Sequence, residues 1–568
     1  MRWLGLALLL AACSHESEPP AARSDRLVVL LDEVPKDLDP RFATEAVTMR
    51  VSRLVFSSLV TLDNPSVTPE GELAERWETD PADPAIVTVV LKPKRHWHDG
   101  RPVTADDVVY TFQSVMDPTL GSPFREPYAA HLRAVEAVDA RTIRFRLVEP
   151  YATFLTDLVL GIVPKHVLEP NGGRFPAPDG YVGSGPFRFV GRDGERRIDL
   201  EAARTVPKRE RPKVRHVELR TLRDEGTRLL TLLGGGADLM VNGASPVLSS
   251  VIEAQPGLKL ETAPSIAFTY LALNLRNPAL AERRVRQALA YALPREQLIG
   301  ALFGGKARLA TGMLSPLHWA HAPEVATYPH DPDRARALLA EAGYGPTRPL
   351  QLTIKISTNR FRRTVARAIA TAWKAVGVDA RVRTFEFSTF FADVKAGRFD
   401  AFVLDLPEPM EPDMLRWMFH GLATPTKTPA ASGSAYATAD RRYLTPGALD
   451  DFVAQDPLCR GYAGHALAQG TRIAVQRAFG VEPALGSANR TSYANPLVDC
   501  RLELGQLLMT PEQRAPLYRD AQRLLADDLP VIPLWHEDVR VVTSTRVEGF
   551  LPLPNGRLGG LVHARLAK

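Results

Sequence analysis

From Val87 to Phe112 the chain reads VTVVLKPKRHWHDGRPVTADDVVYTF, a run that constrains local structure more tightly than any other stretch. Apolar residues alternate through Val87, Val89 and Leu91, the period of a strand with one buried face. His98-Asp99-Gly100 follows, and an Asp-Gly pair supplies the positive φ that a tight turn needs. Thr104 then stands before Asp106 and Asp107. A hydroxyl cap followed by first-turn carboxylates opens a helix. Strand, turn and helix therefore follow from backbone chemistry alone.

The N-terminal segment bears on compartment. Met1-Arg2-Trp3 is a short positive region, and Leu4 to Ala12 is an apolar run too short to span a bilayer. Residues 1–12 read as a signal peptide. Leu10-Ala11-Ala12-Cys13 is similar to a bacterial lipobox, which makes Cys13 the expected lipidated residue and the membrane anchor; an ordinary secretory signal with an accidental cysteine is the alternative. Residues 13–25 are polar and Pro-containing, as a flexible tether would be. No later stretch has the roughly eighteen uninterrupted apolar residues of a transmembrane helix. The expected location is the periplasm or cell surface, anchored by lipid to a bacterial membrane. Whether that membrane is inner, outer or single stays open.

At 568 residues the chain is too long for one core and should divide into two or three domains. Its 45% hydrophobic and 24% charged content is ordinary for a globular protein. The formal charge of +5 falls to +4 when Arg2 leaves with the signal. Basic clusters such as Arg283, Arg284 and Arg286 lack the interleaved aromatics of a single-strand nucleic-acid site and read as solvated faces. With Cys13 set aside, Cys459 and Cys500 form an even pair in an oxidising compartment, which reads as one disulfide. A metal pair would need a Cys-x-x-Cys or histidine spacing that is absent.

Further along, strand and helix patterns alternate as α/β units: the strand Leu350 to Ile356, a helix through Trp373, then the strand Arg381 to Phe387. On either side of the Val87 run several phrases stand in a set order: DLDPRFATEA from Asp37, GSGPFRFV from Gly183, LALNLRNPALAERRVRQALAYAL from Leu271, GRFDAFVLDLPEPMEPDM from Gly397 and LPVIPLW from Leu529. Taken in this order, they resemble the family 5 extracellular solute-binding proteins, the peptide- and nickel-binding receptors of ABC importers. The resemblance spans Arg26 to about Phe550.

That resemblance implies an α/β, periplasmic-binding-protein-like fold of two lobes joined by two chain crossings. Residues 26–270 are expected to form the first lobe, with an extra subdomain at about 60–182. Residues 271–528 would form the second, carrying an insertion at about 424–489, and 529–568 would return to the first. The crossings are expected near Tyr270 to Asn274 and Asp528 to Pro533. Hinge closure would bury a peptide-like ligand, most simply an oligopeptide held by its main chain, and present it to the permease subunits. A monomer without cofactor is expected. A nickel complex or sugar as ligand, or a sensing role without transport, stays as the alternative.

The resemblance also implies site residues. The family grips a peptide's ammonium with a carboxylate in a Trp-x-x-Asp segment. Aligned through Glu411-Pro412-Asp413, that carboxylate falls on Glu408, with Asp405 in place of the aromatic residue; an acidic solvated loop is the plainer reading. Arg41, Phe42, Thr44, Glu45, Tyr270 and Trp417 are expected to line the cleft, against ordinary packing. Catalysis is not expected. There is no Gly-x-Ser-x-Gly elbow and no His-Glu-x-x-His helix, and Gly234-Gly235-Gly236 lacks the lysine of a phosphate loop. His96 with His98 and His318 with His321 could each supply two metal ligands, too few alone for a site.

Overall fold

The computed structural model describes residues 25–176, 179–420, 489–507 and 510–567. Two large sheets organise them. The first has the strand order Leu258–Ala263, Val539–Ser544, Leu239–Val241, Arg26–Leu31, His216–Thr221, Arg197–Ala202, Phe187–Asp193. The second has the order Ala307–Leu309, Val531–Glu537, Phe268–Leu273, Ala401–Leu406, Leu350–Ser357, Val378–Phe385.

Each sheet is covered on both faces, and the strand period of two shows how. In Arg26–Leu31, the side chains of Leu27, Val29 and Leu31 enter one core while Val28 and Leu30 enter another. In Phe268–Leu273, Leu271 and Leu273 face one core and Phe268, Tyr270 and Ala272 the other. Unbroken apolar runs are what a strand buried on both faces requires. A third, all-antiparallel sheet of Ala74–Thr79, Ile86–Leu91, Thr142–Leu147 and Leu132–Ala137 has its own core. Here only alternate residues are buried, Val87, Val89 and Leu91 among them.

The chain passes between the large sheets twice. It leaves the first after Ala263 and enters the second at Phe268; it leaves the second after Glu537 and re-enters the first at Val539. The crossings thus differ from the expected positions. Tyr270 pairs with Leu404 and Pro533 inside the second sheet, and Val531–Glu537 belongs to that sheet too. Both segments are extended and buried, so sequence pattern could not separate strand from connection. The two crossings also lie side by side. Leu258–Ala263 pairs antiparallel with Val539–Ser544, and Phe268–Leu273 pairs antiparallel with Val531–Glu537. One two-stranded ribbon therefore runs through both lobes, interrupted at residues 264–267 and at Asp538.

The Val87 run folds as its residues dictate. Gly100 takes φ +92° and its N–H donates to the Trp97 carbonyl at 2.9 Å. The helix runs Ala105–Met116. Asp107 accepts from the Thr104 N–H (2.9 Å), the Trp97 indole (3.3 Å) and the Lys165 N–H (3.0 Å), locking the turn to the helix start. His98 serves the same packing. It receives the Gly183 N–H on Nδ1 at 3.3 Å, which leaves Nε2 to donate to the Gly185 carbonyl at 3.0 Å. Burial pushes its pKa down to about 4, so it stays neutral.

Residues 421–488 hold most of the expected insertion and lie outside the described residues, as do Cys13 and Cys459. Buried Asn489 donates to the carbonyls of His420 (3.1 Å) and Tyr493 (2.7 Å), tying together the two positions that flank the segment.

Gly183 approaches the Val55 carbonyl so closely that an added Cβ would stand 1.9 Å from its oxygen. Gly183→Ala should therefore destabilise the protein by about 2 kcal/mol or more, read as a lowered urea midpoint with unchanged slope. An unchanged midpoint would refute the close approach.

Candidate functional site

Between the two large sheets lies a cleft of about 900 Å³. Its first-lobe wall includes Arg50, Arg228, the loop Asn242 to Leu248, Arg540 and Gly556; its second-lobe wall includes Asn359 to Arg362, Asp405 and Pro407. The crossings form its floor through Ser265, Ala267, Glu537 and Asp538. A solute seated here touches both lobes and both crossings, the geometry in which domain closure and binding are coupled.

Local structure sets each wall. Asn242 sits in the left-handed region at φ +51°. Its N–H donates to the Arg540 carbonyl (2.7 Å) and its Oδ1 accepts the Arg540 N–H (2.9 Å), so the loop is fastened to the strand that follows the second crossing. Arg228 is buried and donates to the carbonyls of Leu222 (2.7 Å), Arg223 (2.8 Å) and Gly243 (2.7 Å), bracing that loop from beneath. In the second lobe Asn359 caps the helix Arg360–Lys374 by accepting the Arg362 N–H at 3.0 Å, which places Arg360, Phe361 and Arg362 in the first turn at the cleft.

Of the eight ligand residues expected from sequence, Asp405 lines this cleft, and it is ion-paired with Arg362. Glu408, three residues on, is instead bound by Arg557, whose Nε and Nη2 donate to Glu408 Oε2 at 3.1 and 2.9 Å. The other arm of Arg557 donates to Asp63 at 2.8 Å. Arg557 is 2% exposed and joins a first-lobe carboxylate to a second-lobe one. Both carboxylates that the resemblance assigns to a ligand ammonium are thus committed to arginines of the protein itself.

The remaining six residues pack or face away from this cleft. Arg41 is fully buried; Nε and Nη2 make a two-point pair with Asp39 (3.0 and 2.6 Å) and Nη2 also donates to the Gly173 carbonyl. Phe42 lies under the Arg174 guanidinium, 4.2 Å from ring centroid to Cζ. Thr44 is exposed, and exposed Glu45 pairs with Lys36 at 2.6 Å. Tyr270 is stacked on Phe268 in the core at 5.4 Å, and burial raises its pKa. Its neighbour Thr269, one step along the strand and so on the opposite face, is the residue that reaches the cleft. Trp417 is 54% exposed on the helix Met414–Phe419, apart from the cleft lining. Of the histidine pairs, His98 is held by the Gly183 and Gly185 backbone, and both members of the second pair have partners. His318 Nδ1 accepts the Ala320 N–H (3.1 Å) while Nε2 meets the Met410 carbonyl, and His321 meets the Leu314 carbonyl. Among the described residues no group of three or more metal-ligating side chains converges.

Sequence reasoning missed Arg540, Arg50 and the Asn242 loop. Asn242-Gly243 reads as a turn and nothing more, and an arginine inside a buried strand carries no local signature of facing a cleft.

Removing one partner from a buried ion cluster strands the others without water. Arg557→Met should cost about 3–5 kcal/mol in urea unfolding, with much of it restored when Asp63→Asn and Glu408→Gln are added. A loss below about 1 kcal/mol would place the cluster in the class of surface pairs.

Comparison with known proteins fits this architecture. The profile described as Bacterial extracellular solute-binding proteins, family 5 Middle, matches residues 68–425. Heme-binding protein A of Haemophilus influenzae is 26% identical over 97% of this chain and 95% of its own. Di/tripeptide-binding protein 2 of Pseudomonas aeruginosa is 24% identical over 97% of each. The solved structure of HbpA2 from Haemophilus parasuis superposes with a TM-score of 0.75 at 22% identity, covering 96% of this chain and all of that one. Two lobes on a shared ribbon, a cleft at the crossings and a family match over most of the chain lead to one conclusion: the protein belongs to the bacterial extracellular solute-binding proteins, family 5.

Proposed function

We propose that this protein is the lipid-anchored, extracytoplasmic binding component of an ABC importer, and that it captures a peptide or peptide-like solute between its lobes for delivery to the permease. The observation that carries the reading is the cleft itself: about 900 Å³, walled by both lobes and floored by both crossings. That volume is at the upper end for small-ligand sites and accommodates a chain of a few residues. Di/tripeptide binding in a relative that matches end to end supports the same class. The work is capture and release, and no chemical step is required of any residue.

Anchoring through Cys13 rests on the apolar run ending in Leu10-Ala11-Ala12-Cys13. No described helix is long and apolar enough to cross a membrane. Cys500, buried in the helix Pro496–Leu507, is disulfide-bonded. With Cys13 carrying lipid, the partner we propose is Cys459, which lies outside the described residues.

Mass spectrometry of solute released from the purified protein by unfolding should identify a peptide or peptide derivative. Recovery of a metal complex or haem alone would refute that class. Cys13→Ala should leave the membrane fraction or remain unprocessed; a variant that fractionates and migrates like the parent would refute the anchor.

A further inference from the structure

A dense run of positive charge stands away from the cleft. Residues 203–216 read ARTVPKRERPKVRH, where Arg204, Lys208, Arg209, Arg211, Lys213 and Arg215 are set against one acid, Glu210. The net charge of this run, +5, equals the formal charge of the whole chain. All six basic residues are exposed. Arg211 shapes the loop by donating to the carbonyls of Val206 (2.9 Å) and Arg204 (2.5 Å). The two carboxylates in contact with the run are each divided between two arginines. Glu210 takes Arg95 at 2.6 Å and Arg209 at 3.4 Å; Glu201 takes Arg188 at 2.6 Å and Arg215 at 3.5 Å. Arg204, Lys208 and Lys213 make no ion pair among the described residues. The run contains no aromatic residue, and its Pro212 and Val214 are buried. Its outer surface therefore offers charge without an apolar wedge.

The loop joins Arg197–Ala202 to His216–Thr221 in the first sheet. Arg26 pairs in register with His216, and the Asp25 carboxylate stands 3.5 Å from His216 Nε2. The folded domain thus begins next to Arg215. Between Cys13 and Asp25 the chain can reach roughly 40 Å at full extension. The parallel strands Arg26–Leu31 and His216–Thr221 start at this end of the sheet and run away from it. Past their far ends Asp32, Glu33 and Glu225 line the cleft. A strand of this length separates the two ends by about 17–20 Å. Basic loop and cleft are therefore at opposite ends of the same strands.

We propose that the loop 203–216 is a membrane-facing surface, which docks on anionic lipid headgroups and holds the anchored protein with its cleft turned away from the bilayer. Docking rests on the lipid anchor at Cys13 proposed above and goes beyond it. A polybasic surface is a second membrane signal that acts together with an acyl chain. Each Lys or Arg close to an anionic surface strengthens association about fivefold. That attraction fades within a Debye length, so it acts only on a surface already brought near the lipid. Entry of the tether beside Arg215 brings this one near. With no side chain to insert, the contact is electrostatic and salt reverses it.

The lipidated full-length protein, held in nanodiscs, tests this by amine labelling with a neutral reagent, read lysine by lysine in mass spectrometry. Discs of phosphatidylcholine are compared with discs that also contain phosphatidylglycerol. At low salt Lys208 and Lys213 should label at least about fivefold more slowly in the anionic discs, and high salt should abolish the difference. Lys374, exposed on the second lobe, should label alike in both. Arg204→Gln with Lys208→Gln removes two exposed, unpaired charges and leaves the loop's own bonds in place. In that variant Lys213 should label in anionic discs within about twofold of its rate in neutral ones. Equal labelling of Lys208 and Lys213 in the two discs, or a difference that survives high salt, overturns the docking surface and leaves the anchor standing. Slowing that extends to Lys374, or that persists in the double variant, also overturns it. Slower labelling with a DNA duplex but not with anionic discs overturns it in favour of a nucleic-acid surface. Protein retained by neither kind of disc refutes the anchor, and the docking with it.

Discussion

Everything in this molecule hangs on a single interrupted ribbon. Two antiparallel partners, residues 258–273 and 531–544, pair inside the first sheet, break, and pair again inside the second. Only residues 264–267 and Asp538 lack a ladder. Hydrogen-bonded strands resist bending, so relative motion of the lobes is confined to these two short breaks. His536 spans them, its Nδ1 meeting the Ala267 carbonyl at 3.0 Å, and burial keeps the ring neutral, with its pKa pushed down to about 4. The cleft opens at the same breaks, so a solute is bound where the molecule bends.

Charge placement then holds the lobes together away from the ribbon. Asp63, Arg557 and Glu408 form a buried three-group cluster across the lobes. Such a cluster is costly to desolvate and costly to break. Arg53 lies within electrostatic reach of it, and burial beside Arg557 pulls its pKa down to about 10. The carboxylates of the segment 405–408 thus contribute to the protein's own cohesion.

What was legible in the sequence was local or periodic. The Val87 run specified strand, turn and helix because Thr104, Asp107 and Gly100 act within a few residues of one another. The order of phrases along the chain indicated two lobes. The crossings were misplaced because Val531–Glu537 and Phe268–Leu273, extended and buried, look alike whether they connect or pair. The fate of Glu408 was illegible for a different reason: its partner lies 149 residues away, and no spacing rule links them. Tyr270 and Thr269 show how fine the margin is, since a shift of one residue along a strand exchanges core for cleft.

The ribbon has a consequence for how the protein comes into being. Val539–Ser544 lies in the interior of the first sheet, and Val531–Glu537 in the interior of the second. A polypeptide made from its amino end therefore lacks an inner strand in both lobes until Val531–Glu537 and Val539–Ser544 arrive. Neither sheet can close before then, however early its other strands are synthesised. Late completion of this kind makes loss of residues 531–544 a defect of both lobes at once.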